Sequence, residues 1–127
     1  MAGTWIADLA SSKLHKGSPI RTATLEVAVT SETVTITDSI QNAAGQQIGT
    51  GTTTFRTDGK PYPHDALMPG LMVAATWSST NVLETTLKQK NGQTDRVTYE
   101  VSSDGKMLTT KTSGPLGDQV IVFRRQP

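Results

Sequence analysis

Nearly ten short segments rich in Thr, Val and Ile run from Gly3-Thr4-Trp5 to Val120-Ile121-Val122-Phe123-Arg124-Arg125, separated by turn signals at even spacing. Thr makes up roughly a sixth of the chain, and Leu, Glu, Lys and Ala form no sustained stripe of 3.6-residue period. Such a composition favours strands, and no long helix is expected. Strands that follow one another through short turns pair as neighbours, and a meander of eight to ten of them closes on itself because closure removes exposed edges. A two-sheet sandwich is the alternative that the same spacing permits.

The segments support this one by one. A first strand is expected over Gly3 to Asp8, followed by at most one helical turn before Gly17 and Pro19. From Arg21 to Thr30, Ala23, Leu25, Val27 and Val29 share one face, opposite Thr22, Thr24, Glu26 and Ala28. From Thr33 to Ile40, Val34, Ile36 and Ile40 oppose threonines, so one face of each strand is buried. Gln47 to Thr57 is a fourth strand with Phe55 as its large anchor, and Gly49 and Gly51 suggest a bend or a close approach. Asp58-Gly59 is a turn, and Pro61 and Pro63 confine the Tyr62 segment to a short edge piece. Met68-Pro69-Gly70 turns into Leu71 to Ser78. Thr80-Asn81, Asn91-Gly92 and Asp104-Gly105 then separate Val82 to Gln89, Thr94 to Val101 and Lys106 to Ser113. A Gly114 to Asp118 loop introduces the last strand, Gln119 to Arg125.

With 127 residues the chain makes one domain, residues 1–127, large enough to fold without staples. It has no cysteine, which excludes disulfides and thiolate chemistry and suits either side of a membrane. Twelve basic and 11 acidic residues are scattered singly, with Arg124-Arg125 the one adjacent basic pair, for a net charge of +1, so no nucleic-acid footprint is expected. No apolar run reaches the length of a membrane helix, so no membrane insertion is expected. Met1-Ala2 leads into the first strand without a signal-peptide core; a leader removed earlier would imply a secreted or periplasmic protein, and otherwise a cytoplasmic one.

Four sequences carry a family likeness: Gly3-Thr4-Trp5, Ser12-Lys13, Asp58-Gly59-Lys60-Pro61-Tyr62-Pro63, and Ser103-Asp104-Gly105-Lys106-Met107-Leu108-Thr109. Together they resemble small bacterial lipocalin-like or fatty-acid-binding-protein-like proteins over most of the chain. More broadly, the opening Gly-Thr-Trp and the basic, aromatic last strand are similar to the calycin barrels, which include lipocalins, fatty-acid-binding proteins and avidins. The resemblance implies an antiparallel up-and-down barrel with a ligand cavity. It also has departures. Fatty-acid-binding proteins carry a two-helix lid between the first two strands, for which the dozen residues between Asp8 and Arg21 have no room. Their carboxylate-gripping arginine, two residues before the last-strand aromatic, corresponds to Ile121. Avidin pockets use several tryptophans, and this chain has only Trp5 and Trp77.

Trp5 is expected to plug the closed end of the barrel, with Arg124 or Arg125 stacked on its face, the alternative being a pocket wall. Because Val120 to Phe123 are apolar on both faces, the sequence leaves open which arginine approaches it. Trp77, on a face with Val73 and small Ala75, is a candidate pocket wall. His64, next to Asp65, is read as an exposed loop histidine, with general acid–base work as the alternative. His15 lies in a polar connection. Two distant histidines without Cys or a carboxylate cluster point away from zinc, and no Gly-rich strand-to-helix turn offers a phosphate cradle. Tyr99 shares a face with Asp95, Val97 and Val101, so a phenol and a carboxylate either orient a polar ligand group or, for Asp95, meet water at the barrel mouth. Arg56 and Arg96 are expected on the outer face.

The first functional reading is non-enzymatic binding of a small hydrophobic or amphipathic molecule, without cofactor or metal. Its expected contacts are Leu25, Val27, Ile36, Phe55, Val73, Trp77, Leu87, Val97 and Tyr99, and the inferred lining extends to Val34, Leu83 and Leu108. An interior filled by side chains, with no cavity large enough for a ligand of about 300 Å³, would rule it out. The alternatives are a barrel isomerase or lyase using Tyr99, Asp95 or His64, and a filled barrel that self-associates, a homodimer included, through Pro61 to Pro69.

Overall fold

The computed structural model describes residues 1–14, 18–64, 70–114 and 118–126, the side chains at 49 and 50 excepted. Ten strands follow in order: β1 (Gly3–Lys13), β2 (Thr22–Val29), β3 (Thr33–Gln41), β4 (Gln47–Arg56), β5 (Tyr62–Pro63), β6 (Met72–Ser79), β7 (Val82–Lys88), β8 (Thr94–Val101), β9 (Met107–Ser113) and β10 (Gln119–Arg125). No helix occurs among the described residues. His15, the Met68-Pro69 half of one expected turn, most of the Pro61 to Pro69 segment and the centre of the last loop lie outside them.

All ten strands belong to one antiparallel sheet in the order β4-β3-β2-β1-β10-β9-β8-β7-β6-β5, so β10 closes back onto β1. This is the curled all-β meander expected from the alternating segments. Its continuous ladder ends at β4 and β5. The curl brings β4 against β5 and β6. Thr53 of β4 is hydrogen-bonded to His64, just past β5, and the Gly59 N–H donates to the Ala75 carbonyl of β6 at 2.9 Å.

The turns follow their residues. Gly59, Gly92 and Gly105 all have positive φ, and the side chains of Asp58, Asn91 and Asp104 accept backbone N–H bonds two residues on. Outside the sheet, threonines pair across strands, Thr35 with Thr54 and Thr37 with Thr52. Arg56 is exposed and bridges Glu32 at 2.8 Å, and Arg96 is exposed as well.

β1 differs from expectation. It continues past Asp8 to Lys13, where a helical turn had been allowed, through an irregularity in its pairing with β10. Ser12 explains how. Its hydroxyl donates to the Asp8 carbonyl at 2.7 Å and accepts the Val122 N–H at 2.9 Å, so a side chain satisfies the donor that the disturbed ladder would orphan.

Inside, period-2 alternation sends every second residue to the core. At one end the packing is solid: Trp5, Val34, Leu83 and Leu108 are each fully buried, with Val27 and Val101 beside them. Arg125 closes this end. Its guanidinium lies 4.3 Å from the centre of the Trp5 ring and donates to the carbonyls of Ala2 (2.7 Å) and Gly105 (2.9 Å), while the indole N–H donates to the Met1 carbonyl (2.9 Å). Gly3 has φ +135°, a backbone conformation that favours glycine, and a Cβ there would stand 2.6 Å from Arg125 Nη1 and force the guanidinium to shift. Arg124, the other arginine expected at Trp5, is on the outer face and pairs with Asp8 at 2.8 Å. The register decides between them: Ile121 and Phe123 are buried facing in, and Arg125 continues their row.

Candidate functional site

Toward the opposite end, near the Asn42–Gln46 and Gln89–Gln93 turns, the interior opens into a cavity of about 260 Å³. The change from solid to hollow falls at one level. On β3, Val34 is packed but Ile36, Asp38 and Ile40 line the cavity; on β7, Leu83 is packed but Thr85 and Leu87 line it; on β8, Val101 is packed but Val97 and Tyr99 line it. The volume lies a little below the usual range of small-molecule sites and below the roughly 300 Å³ expected for a ligand.

Of the expected contacts, the cavity brings together Leu25, Ile36, Phe55, Val73, Leu87, Val97 and Tyr99. Two others are elsewhere. Val27 is buried in the solid end, one inward position beyond Leu25. Trp77 is half-buried near the β6–β7 turn, where it shares a surface hollow with Met1 and Val29 and lies outside the cavity lining. Val34, Leu83 and Leu108, from the wider lining, likewise fill the solid end.

The polar part of the cavity departs most from the sequence reading. His64 is half-buried at the cavity wall and bonded to Thr53, whereas an exposed loop histidine was expected; the curl that sets β4 against β5 carries it inward. Asp95, one inward position before Val97 at the start of β8, lies beside Gly114 and is absent from the lining. The carboxylate inside is Asp38, which the sequence reading passed over although it shares the alternating face of Val34, Ile36 and Ile40. Leu25 stands opposite it on β2, and Gly51, which has no side chain, on β4. Burial alone pushes the Asp38 carboxyl up to about 6 from an ordinary 3.8. Burial also raises the Tyr99 phenol, and the Asp38 charge adds to it, which places the two groups within electrostatic reach.

Thr53, Thr85 and Thr110 are buried inward threonines, and Thr85 donates to the Val97 carbonyl at 2.7 Å. Gln119, at the start of β10, lines the same cavity with its Oε1 buried and unbonded. Ile121 lines the wall too, and no Lys or Arg does so among the described residues. The site is an apolar chamber with a carboxylate, a phenol, an imidazole and an amide facing one space. Those residues include no group of three or more metal-ligating side chains.

Solved structures share this architecture over nearly their whole length. The fold is that of the fatty-acid-binding-protein-like calycin barrels. The chain is similar to the wild-type fluorescent protein UnaG, with a TM-score of 0.75 at 15% identity, covering 99% of this chain and 97% of that one. It is similar to fatty-acid-binding protein 1 of Echinococcus granulosus, with a TM-score of 0.73 at 12% identity, covering 100% and 98%. The Schistosoma mansoni fatty-acid-binding protein in complex with arachidonic acid has a TM-score of 0.73 at 14% identity, covering 99% and 96%. No family model and no curated protein matches the sequence. At such identities the likeness is one of fold, which hosts many functions.

Proposed function

We propose that the chain is a non-enzymatic binding protein that takes one small hydrophobic or amphipathic molecule into the cavity. The observation that carries this reading is the division of the interior: a solid end locked by Trp5 and Arg125, and a chamber of about 260 Å³ walled by Leu25, Ile36, Phe55, Val73, Leu87 and Val97. A side-chain-filled core would be the more stable solution at the same length, since every void forfeits contacts. The names of the fatty-acid-binding proteins that share the fold support a hydrophobic occupant. The volume selects a compact one.

Native mass spectrometry of protein purified from cells, with release and identification of what travels with it, tests the proposal. A one-to-one complex with a small apolar or amphipathic molecule is expected. A clean apo mass, together with no rise in melting temperature across a panel of small apolar compounds, would overturn it.

A second reading has its own observation, the convergence of His64, Asp38 and Tyr99 on one cavity with two of them displaced from their ordinary pKa values. In it the chamber is the dry pocket of an isomerase or lyase, with one of these groups moving a proton. A catalytic role requires that His64→Gln or Asp38→Asn abolish turnover of whatever compound is recovered from cells. If that compound is returned chemically unchanged, the enzymatic reading fails.

A further inference from the structure

Two polar groups of the cavity are acceptors with no donor bonded to them, the Asp38 carboxylate and Gln119 Oε1. The Asp38 carboxylate faces the chamber with no hydrogen-bond or ion-pair partner among the described residues. Gly51 opposite it brings no side chain, and Leu25 on the other side offers only hydrocarbon. Gln119 Oε1 is a second buried acceptor with nothing bonded to it. The remaining titratable groups facing the space are Tyr99, whose phenol keeps its proton, and His64, which is bonded to Thr53. No guanidinium or ammonium lines the chamber among the described residues.

An orphaned acceptor in low dielectric costs free energy, and an unpaired carboxylate costs more. Such groups become favourable when a ligand brings the missing donors. We infer that the cavity is built for a small amphipathic amine, its hydrocarbon part against Leu25, Ile36, Phe55 and Leu87 and its ammonium on the Asp38 carboxylate. The inference rests on the binding reading above and deepens it by setting the polarity of the ligand's head group. A carboxylate ligand is disfavoured by the same groups that favour the amine, since it would stand beside Asp38 with no cation among the described residues to hold it. At neutral pH Asp38, with its carboxyl near 6, is mostly ionised and supplies the charge.

Three probes with a common six-carbon chain separate the outcomes: hexylamine, hexan-1-ol and hexanoate, each titrated into the full chain at pH 7.5 and followed by NMR. Hexylamine is expected to bind on the order of tenfold more tightly than hexan-1-ol, the usual gain of a hydrogen bond to a charged group, and hexanoate most weakly. Asp38→Asn should collapse the difference between amine and alcohol. Glu84→Gln, which removes a charge from an exposed position of β7, should leave it intact. Alcohol and hexanoate binding at least as well as hexylamine would overturn the amine assignment while sparing the binding reading. A preference for hexylamine that survives in Asp38→Asn would overturn the role of Asp38. Failure of all three probes to enter would overturn the binding reading, and this inference with it.

Discussion

Two residues hold the unusual physics of this molecule, and each makes a prediction. Asp38 binds its proton more tightly in the folded protein than in the unfolded chain, because burial lifts its carboxyl from 3.8 to about 6. Its contribution to stability is therefore most favourable below pH 4 and is lost as pH rises through 6. At 1.36 kcal/mol per unit the change is roughly 2–3 kcal/mol. Asp38→Asn should be more stable than the parent at pH 7, and the gap should close by about that amount on acidification to pH 4. Urea melts of both proteins at the two pH values check this. A gap independent of pH would show that Asp38 is not desolvated. Gly3 is the second. Gly3→Ala forces a side chain into a left-handed backbone position and against Arg125 Nη1, and is expected to cost about 2 kcal/mol. In an Arg125→Ala background the clash disappears, so the two changes should be less than additive in a double-mutant cycle.

At the scale of the element, β1 shows how a strand survives a disturbed ladder. Ser12 accepts the Val122 N–H and donates to the Asp8 carbonyl, so its hydroxyl replaces backbone pairing between the two regular stretches. Ser12→Ala leaves a part-buried N–H without its acceptor and should destabilise by about 1–2 kcal/mol, read from the denaturation midpoint. A change within a few tenths would mean that β10 does not depend on the serine. This feature was not legible in the sequence, because Leu9-Ala10-Ser11-Ser12 has no alternation to mark a strand and only the proximity of Val122 gives Ser12 its role. By contrast, β2, β3 and β8 were legible because each alternates apolar and polar residues, and β6, β7, β9 and β10 because strand-favouring residues run between turns that carry Gly, Asn or Asp.

The whole molecule divides stability from binding along its axis. Leu108 is fully buried in the solid end, whereas Leu87 lines the cavity and is only partly buried. Leu108→Ala should cost about 3–4 kcal/mol, within the range for closely packed core leucines. Leu87→Ala should cost roughly half as much, because a side chain bordering a void has fewer partners to lose. Equal losses, measured by denaturant titration, would mean that the cavity is closed in solution. The sequence by itself determined the all-β meander, its turns and the apolar half of the chamber wall, since strand alternation and turn chemistry are local and survive in any arrangement of the chain. What only the tertiary structure decided was the rest of the chamber. Asp38 shares the inward face of Val34 and Ile36 in the sequence, but its isolation depends on Gly51 and Leu25 being its neighbours across two strands. His64 enters because the curl sets β4 against β5, and Trp77 falls outside because the level at which packing gives way to cavity is a property of the stagger among ten strands. The choice of Arg125 over Arg124 at Trp5 has the same origin: four consecutive apolar residues in β10 fit either face, and the register against β1 and β9 selects one.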